Sequence, residues 1–587
     1  VSYLEFESTI PGLEVMTKAV HGFYLTVLEG AGLTGSPDSW YWSSSRLISH
    51  PPGEAAPITE FPFFTFLFAD LHAHAMAMPI ALFCLGLSVC VLIWQSDRSS
   101  RHEALSGTPA TGNGLCQVAR TTLTEWSSFV WLTLWLGLAL GSIGATNTWD
   151  VPVYSLVILA VFLINSTQTG KTVGFAGLTF GAVILAAAIF FAPFHYWYAS
   201  PVGGIRWWDG SNTPLFDFFA VFGVFLFLIT TLLWMVLSRL QRLPSQVRII
   251  LGAINALPRI KRFRRLGSRL SGLNLLQYLG FWLTLSTILV ALALALALAD
   301  RWVAGLCLML FILACLLLSQ SSLDAPSRLI LALIAIGFLA ATAAEVIVVE
   351  GDVGRMNTVF KIYLQRWILW ALASAFAAAK LWEWRQRRSL VRKVWLGILA
   401  ALILVASAYP VVGTFSRVED RFAGVDGWSL NGALFMDSAE FAVEGNAFPL
   451  NSDREAIDWL REKVAGTPVV AEANTHPALY QWGNRIAMFT GLPSIVGWDW
   501  HQRQQRGQVP GGLVERRIND VQQLFNTTDL AEAKKLLARY EVKWIIVGSL
   551  ERAVYDSAGL AKFSLHDGIY WRRAFRSGEL AIYEVLD

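Results

Sequence analysis

Long apolar runs constrain this chain more than any other feature of its sequence. A membrane-spanning helix needs about 20 consecutive, mostly apolar residues. Only 15% of the residues of this chain are charged, against about 25% in ordinary soluble domains. We therefore predict a mainly α, polytopic helical membrane protein with about ten spans. The candidate spans lie at residues 75–95, 127–145, 151–165, 172–194, 216–237, 275–299, 303–319, 329–348, 362–381 and 394–413.

The distribution of Lys and Arg predicts which side of the membrane each loop faces. If residues 96–126 lie in the cytoplasm, the cytoplasmic loops hold nineteen Lys and Arg residues and the short outer loops hold four. Cytoplasmic loops are enriched in these cations, so this orientation is the predicted one. Nine of the nineteen lie between Arg239 and Arg269. Since that stretch joins two spans, we interpret it as a loop facing lipid headgroups and expect no nucleic-acid partner.

Composition divides the chain into three regions. Residues 1–74 are predicted to form an extracytoplasmic segment with interfacial helices, and residues 75–415 the transmembrane helical domain of a multi-pass plasma-membrane protein. Residues 416–587 are richer in charge and alternate between helical and strand patterns, which predicts an extracytoplasmic α/β domain. The stretch SDREAIDWLREKV is predicted to form a capped amphipathic helix, with Ser452 as its N-cap and Glu455 completing a capping box.

The stretch FADLHAH, residues 68–74, places Asp70, His72 and His74 at the mouth of the first span. Ionisable groups are costly in hydrocarbon, so their presence favours a catalytic role, although structural pairing at the interface is the alternative. If residues 64–74 are helical, Asp70 and His74 share one face and His72 points away. A carboxylate beside an imidazole serves as a general base or as part of a metal site. The sequence assigns no cofactor, but a divalent cation such as Mg²⁺ or Mn²⁺ would bind Asp70 and His74, with Glu60 or His195 as a further ligand.

A second group of polar side chains lies around the start of the ninth candidate span. Arg355, Asn357, Lys361 and Gln365 follow one another closely, and they include two of the four outer-loop cations. Arg and Lys are the usual donors to phosphate, so we interpret these four residues as a phosphate-binding set. The alternative is that the cations merely extend from the helix end to the membrane surface.

Further polar and aromatic residues are candidates for substrate binding. Asp150 would either contribute to the site or cap the following span. Glu345 would either pair with a base such as Arg355 or line a cavity. Trp207 and Trp208 would either anchor the chain in the membrane interface or stack on a sugar. The candidate substrate-binding residues are Glu60, Asn147, Trp149, Asp150 and His195, with Trp482, Asn484, Arg485 and His501 in the C-terminal region.

Four motifs carry a resemblance to a known family. ITEFPFFTFLFADLHAHAMAMP, TNTWDVPVY, RMNTVFKIYLQRW and WGNRIAMFTGLPSIVGWDWHQRQQRG occur in this order over roughly residues 40–550, and the chain resembles the YYY-domain polytopic membrane proteins. The resemblance implies a GT-C-like glycosyltransferase that takes a sugar from a polyprenyl-phosphate donor and passes it to an exported glycan, lipid or protein acceptor on the outer face. It also implies further membrane helices upstream of Val1 with the principal catalytic acid, in which case Asp70 would be a second acid.

Two other classes of function compete with the glycosyltransferase hypothesis. A transporter or flippase of lipid-linked sugars would place polar residues near the membrane midplane, whereas the polar clusters of this sequence gather at one end of the predicted spans. A non-catalytic assembly subunit would use residues 416–587 as a docking platform. The enzyme hypothesis requires the polar clusters to meet in one place.

Overall fold

The apolar runs fold as helices in the computed structural model of the chain. Contacts divide the chain into two units. We call Val1–Tyr198 with Val202–Ser416 the membrane unit, and Arg417–Asp587 with Ala199–Pro201 the C-terminal unit. The structure describes residues 21, 24, 41–106, 112–168, 172–198, 204–240, 287–320, 323–383, 390–421, 429–443, 445–478, 481–505 and 512–586.

Eight helices in these ranges are long and apolar enough to cross a membrane, and the chain is a mainly α, polytopic membrane protein as predicted. Two further apolar helices are shorter, and the predicted run 275–299 extends beyond the described residues. The helices of the membrane unit are α1 (Pro62–Phe68), α2 (Ala73–Ser106), α3 (Gly112–Thr146), α4 (Val151–Gln168), α5 (Val173–Phe190), α6 (Ala192–Trp197), α7 (Leu215–Leu240), α8 (Thr287–Leu298), α9 (Trp302–Leu318), α10 (Ala325–Val346), α11 (Met356–Glu383) and α12 (Leu390–Arg421).

Packing places α10 at the centre of the membrane unit and α12 at its edge. Within the apolar segment of each helix, 78% of the residues are buried in α10 but only 6% in α12. Helix α10 packs on α9, α11 and α4. Gly337 of α10 permits a close approach, since a Cβ atom at this position would lie 2.1 Å from Trp370 Nε1 of α11. This packing fixes α10 against α11, and these two helices carry Glu345 and Lys361.

A short β-ribbon follows the end of α10 and leads into α11. Strand β1 (Ile205–Trp207) pairs antiparallel with β2 (Ile347–Val349). Asp352 then accepts hydrogen bonds from the backbone N–H groups of Asn357 and Thr358, at 3.0 and 2.7 Å. A carboxylate here satisfies N–H groups that have no partner within the helix and interacts favourably with the helix dipole. Helix α11 therefore begins with a firmly capped first turn.

The C-terminal unit combines helices with a mixed sheet. Its elements are β3 (Glu440–Val443), β4 (Asn446–Pro449), α13 (Asn451–Lys463), β5 (Val469–Ala471), α14 (Arg485–Thr490), α15 (Asp499–Gln505), α16 (Leu513–Asn526), α17 (Leu530–Arg539), β6 (Val542–Val547), α18 (Ser549–Val554), α19 (Ser557–Leu565), β7 (Trp571–Ser577) and β8 (Leu580–Val585). The main sheet has the order β5-β6-β8-β7, in which β5 and β6 are parallel and the other neighbours are antiparallel. The predicted cap at Ser452 is wrong, because α13 begins at Asn451 and Leu450 already has helical backbone angles (φ −92°, ψ −4°).

Candidate functional site

Asp70 and His72 form an exposed hydrogen-bonded pair between α1 and α2. Helix α1 ends at Phe68, and Ala69 adopts a left-handed conformation with φ 59°. Asp70 Oδ2 lies 2.9 Å from His72 Nδ1, and about half of each side chain is exposed. The predicted pairing of Asp70 with His74 on one helical face is wrong, because the helix is interrupted at Ala69 before either residue. Since an ionised carboxylate only accepts hydrogen bonds, His72 Nδ1 is the donor and Nε2 is left as the acceptor.

His74 connects this exposed pair to buried charges. Its ring lies 4.7 Å from the ring of His72, but only 3% of the residue is exposed. His74 Nδ1 lies 3.3 Å from Lys361 Nζ, and Nε2 lies 3.7 Å from Glu60 Oε2. Because an ammonium only donates hydrogen bonds, Nδ1 is the acceptor from Lys361 and Nε2 carries the ring proton. The proton on Nε2 therefore faces the Glu60 carboxylate.

Glu60 is a buried residue of the segment that precedes α1. Burial raises the pKa of Glu60 to about 7, while the positive charges of Arg46 and Lys361 oppose this rise. A carboxyl group with this pKa changes its charge near neutral pH. Glu60 therefore controls the net charge of the surroundings of Lys361 in the physiological range.

Asp150 also interacts with Lys361, and Gln365 lies one turn further along the same helix. Asp150 is fully buried, and its Oδ1 accepts a hydrogen bond from Asn147 Nδ2 at 2.8 Å. Gln365 Oε1 accepts a hydrogen bond from Tyr154 Oη at 2.7 Å. The Gln365 amide and the Lys361 ammonium both interact electrostatically with Asp150, yet within the described ranges neither Asp150 Oδ2 nor Gln365 Nε2 has a hydrogen-bond partner. Asp150 thus faces Lys361 with one oxygen left unpaired, instead of acting only as a helix cap.

We call Glu60, His74, Asp150, Lys361 and Gln365 the Lys361 cluster. Its members come from the segment before α1, from α2, from the turn that precedes α4, and from α11. The cluster contains one ammonium between two carboxyl groups, together with unpaired hydrogen-bonding atoms. The arrangement therefore brings a cation, two carboxyl groups and an amide together in one buried place.

Arg355 belongs to a second, structural cluster. Arg355 Nη1 lies 3.0 Å from Glu345 Oε2, and both side chains are at least 98% buried. Glu345 also accepts hydrogen bonds from the Thr213 backbone N–H at 3.1 Å and from Thr213 Oγ1 at 2.6 Å. The interpretation in which Glu345 pairs with Arg355 is confirmed. Of the predicted phosphate-binding set, Arg355 is thus bound by Glu345, Asn357 donates to Asp352 at 3.0 Å, and only Lys361 and Gln365 lie in the Lys361 cluster.

The remaining candidates in the membrane unit lie around or away from this cluster. Trp149 is half-buried in the turn before α4. His195 is an exposed residue of α6, and the contacts described for its ring are to Phe194. Trp208 is buried and lies 5.7 Å from the Arg355 guanidinium carbon, whereas Trp207 is 75% exposed. Trp208 is therefore part of the protein interior, and only Trp207 presents its ring at the surface.

The predicted metal site does not form around Asp70 and His74. Across the described residues, no three His, Cys, Asp or Glu side chains are grouped closely enough to hold a metal ion. Asp70 pairs with His72, and the Lys361 ammonium lies 3.3 Å from His74 Nδ1. An ammonium at this distance occupies the nitrogen lone pair and repels a cation, so these residues do not fit a divalent metal.

Two of the candidates in the C-terminal unit belong to its interior. Arg485 is fully buried and binds Asp453 at 2.7 Å and both oxygens of Glu551 at 3.0 Å. Trp482 Nε1 donates to Asp453 Oδ2 at 2.9 Å. Burial alone would lower the pKa of Arg485, but the carboxylates of Asp453 and Glu551 outweigh it and raise this pKa, so the charge of Arg485 is permanent. Trp482 and Arg485 therefore stabilise the unit, and a direct contact of Arg485 with an acceptor at the surface is not compatible with this burial.

Asn484 is also buried, whereas His501 is half-buried. Asn484 has a left-handed backbone with φ 62°, and its Oδ1 accepts a hydrogen bond from Ser494 Oγ at 3.3 Å. The ring of His501 lies 6.0 Å from that of Trp498. Asn484 therefore belongs to the interior of the unit, and the acceptor role of His501 stays a prediction.

Sequence reasoning did not identify Arg366 as a distinctive residue. Its guanidinium carbon lies 3.5 Å from the ring of Phe222 and 4.3 Å from that of Tyr363. Arg366 is fully buried, and its guanidinium nitrogens have no hydrogen-bond partner in the described part of the chain. The signal in the sequence is a cation inside an apolar span with Tyr363 and Trp370 at spacings at which helical side chains meet. The contact with Phe222 comes from a residue that is distant in sequence.

Comparison with known proteins identifies a family whose description assigns no function. The profile of a family described as "Uncharacterized membrane protein (DUF2298)" matches residues 8–370. This match covers more than half of the chain and includes the whole Lys361 cluster. No curated protein matches the chain.

Proposed function

Because this chain belongs to the DUF2298 family of uncharacterized membrane proteins, its chemistry has to be argued from its own residues, and we propose that it is a glycosyltransferase. In this proposal, which extends the resemblance to GT-C enzymes, a sugar moves from a polyprenyl-phosphate donor to an exported acceptor. One observation carries the proposal: the exposed Asp70–His72 pair adjoins, through His74, a buried ammonium. A general base and a cation for a leaving phosphate are the two groups that this transfer needs.

The Asp70–His72 pair would act as the general base. Asp70 fixes the ring of His72 with Nδ1 protonated, so Nε2 is free to accept the proton of the acceptor hydroxyl. As that proton moves to Nε2, the hydroxyl oxygen attacks the anomeric carbon through an oxocarbenium-like transition state. The bond between the anomeric carbon and the phosphate oxygen breaks, and its electron pair leaves with the phosphate.

Lys361 would stabilise the negative charge that develops on the leaving phosphate. The ammonium is the only cation in the Lys361 cluster, and the Gln365 amide is a further donor one turn along the same helix. A phosphate oxygen would take the place of His74 Nδ1 as the partner of Lys361. We assign this role to Lys361 and Gln365 instead of Arg355 and Asn357, because the latter two are already bound by Glu345 and Asp352.

Sugar transfer by the purified chain in nanodiscs, from labelled hexosyl polyprenyl phosphates, tests the proposal. We expect Asp70→Asn to lower turnover by a factor of about 10²–10⁴, the usual contribution of a general base. Lys361→Met should weaken donor binding, whereas Lys380→Met, on the last turn of the same helix, should not. Intact donor binding without turnover for every donor tested would contradict the proposal, and so would wild-type turnover by Asp70→Asn.

A transporter of lipid-linked sugars is the second candidate function. The observation that favours it is the continuation of polar contacts inward from His74 to Lys361, Asp150 and Gln365. Impermeant thiol reagents, applied to Asp70→Cys in a background without the native cysteines, distinguish the two functions. Labelling from both faces of the membrane supports transport, and labelling from one face supports transfer at the surface.

A further inference from the structure

A cavity of about 360 Å³ lies within the C-terminal unit. This volume falls within the range of small-molecule sites, about 300–1,000 Å³. Its lining comes from α14, from residues 492–497, from α15 and from the first two turns of α16. Most of this lining is apolar, and its branched side chains are Leu492, Ile495, Val496, Leu513 and Val514. The cavity therefore offers contact to the apolar body of a small molecule.

Arg517 carries the only charge among the described residues of the lining. Its Nη1 donates a hydrogen bond to Ile495 O at 2.8 Å, and its guanidinium carbon lies 5.2 Å from the centre of the Tyr540 ring. These two contacts hold the guanidinium in place, but neither brings a negative charge to it. A guanidinium has five N–H donors, so most of those of Arg517 are left for a ligand.

The two acidic residues of α16 are engaged by other cations. Glu515 binds Arg503 Nη2, and Asp520 Oδ2 lies 2.8 Å from Arg539 Nη1. Across the described residues, no carboxylate oxygen lies within 4.0 Å of an Arg517 nitrogen. The cavity therefore carries a positive charge that the described part of the protein does not balance by an ion pair.

We propose that this cavity binds a small organic acid through its carboxylate. A guanidinium is matched to a carboxylate, because two parallel N–H groups bond to the two oxygens. The first turn of α16 lies at the same cavity through Leu513 and Val514, and the positive end of a helix dipole favours an anion. The apolar lining contacts the body of the acid.

The single cation favours a carboxylate over a phosphate monoester. A carboxylate brings one negative charge, which Arg517 balances, whereas a phosphate monoester carries about −1.5 to −2 at neutral pH. The excess charge would enter a mostly apolar cavity at a cost in desolvation. This site lies wholly within the C-terminal unit and does not depend on the proposed transfer reaction.

Saturation-transfer difference NMR on the full chain in nanodiscs tests the proposal with cyclohexanecarboxylate, the neutral cyclohexanecarboxamide and cyclohexyl phosphate. We expect saturable binding that is tightest for the carboxylate. Arg517→Met should weaken carboxylate binding by a factor of about ten or more, because it removes charge-assisted hydrogen bonds. Arg516→Met, which removes the exposed cation at the preceding position, is the matched control and should leave binding unchanged.

Three results would overturn the proposal. The first is the absence of saturable binding of the carboxylate, and the second is binding of the amide or of the phosphate that is at least as tight. The third is carboxylate binding of wild-type strength by Arg517→Met with an unchanged thermal unfolding midpoint. If Arg517→Met fails to fold, Val514→Phe decides, because it narrows the cavity and keeps the guanidinium. Wild-type binding by that folded variant would overturn the proposal equally.

Discussion

Replacing Glu345 by Gln removes the negative partner of a buried ion pair in the membrane unit. Glu345 and Arg355 are separated by 3.0 Å, and their side chains are 2% and 1% exposed. Breaking a buried pair by removing one partner costs about 3–5 kcal/mol. We expect the lower end, about 3 kcal/mol, because Arg355 keeps hydrogen bonds to Thr213 Oγ1 at 2.9 Å and to Ala344 O at 3.3 Å.

The double variant Glu345→Gln with Arg355→Met separates the cost of an unpaired charge from the value of the pair. Replacing both partners of a buried pair by groups of similar volume is often close to neutral. We therefore expect the double variant to be at least about 2 kcal/mol more stable than Glu345→Gln alone. The midpoint of unfolding in SDS, followed by circular dichroism of the purified chain, measures both differences.

The same double variant tests the role of Arg355. If the donor phosphate binds at Lys361, the double variant should bind a polyprenyl phosphate with wild-type affinity. A loss of donor binding without a loss of stability would indicate that Arg355 binds the donor phosphate. If Glu345→Gln changes the free energy of unfolding by less than about 1 kcal/mol, the reasoning from burial and distance is refuted.

Three further predictions concern charge and packing. Glu60 is neutral below its pKa of about 7 and negative above it, so donor binding should weaken about fivefold from pH 6 to pH 8, as expected for one charge at a partly screened distance. Glu60→Gln should abolish this change, and its donor affinity at both pH values should equal that of the wild-type protein at pH 6. Gly337→Ala overpacks the α10–α11 contact and should lower stability by about 1–3 kcal/mol, whereas Gly397→Ala, with open space around it, should not. Glu551→Gln leaves part of a buried guanidinium unpaired and should cost about 3 kcal/mol in thermal unfolding, against less than about 1 kcal/mol for the exposed Glu462→Gln.

The helices could be predicted from sequence because a bilayer leaves few alternatives. A run of about 20 apolar residues in hydrocarbon must satisfy its backbone hydrogen bonds internally, and a helix does so. The pairing of Glu345 with Arg355 could be named as one of two alternatives, since the two residues flank one short connection. The composition of the site could also be predicted, because cations and acids near apolar spans stand out in the sequence.

The contacts within the site could not be predicted, for physical reasons. Ala69 takes a left-handed conformation although no glycine or proline marks this position in the sequence. Because Ala69 ends α1, Asp70 pairs with His72 instead of with the predicted partner His74. The contact of Lys361 with His74 spans 287 residues of sequence. Such a contact depends on the rotation and the axial shift of whole helices, which the packing of many apolar side chains decides together.

The depth of the polar residues on α11 separates the two candidate functions. A helix rises about 1.5 Å per residue, so Lys361 lies about 8 Å and Gln365 about 14 Å beyond Met356, the first residue of α11. Arg366 lies about 15 Å along the helix from Met356, where aromatic rings enclose it. From Trp367 to Ala379 the helix carries no ionisable side chain. A polar sugar moving along α11 would meet no ionisable partner on this stretch, whereas transfer at the membrane surface needs only the part of the helix that carries the Lys361 cluster.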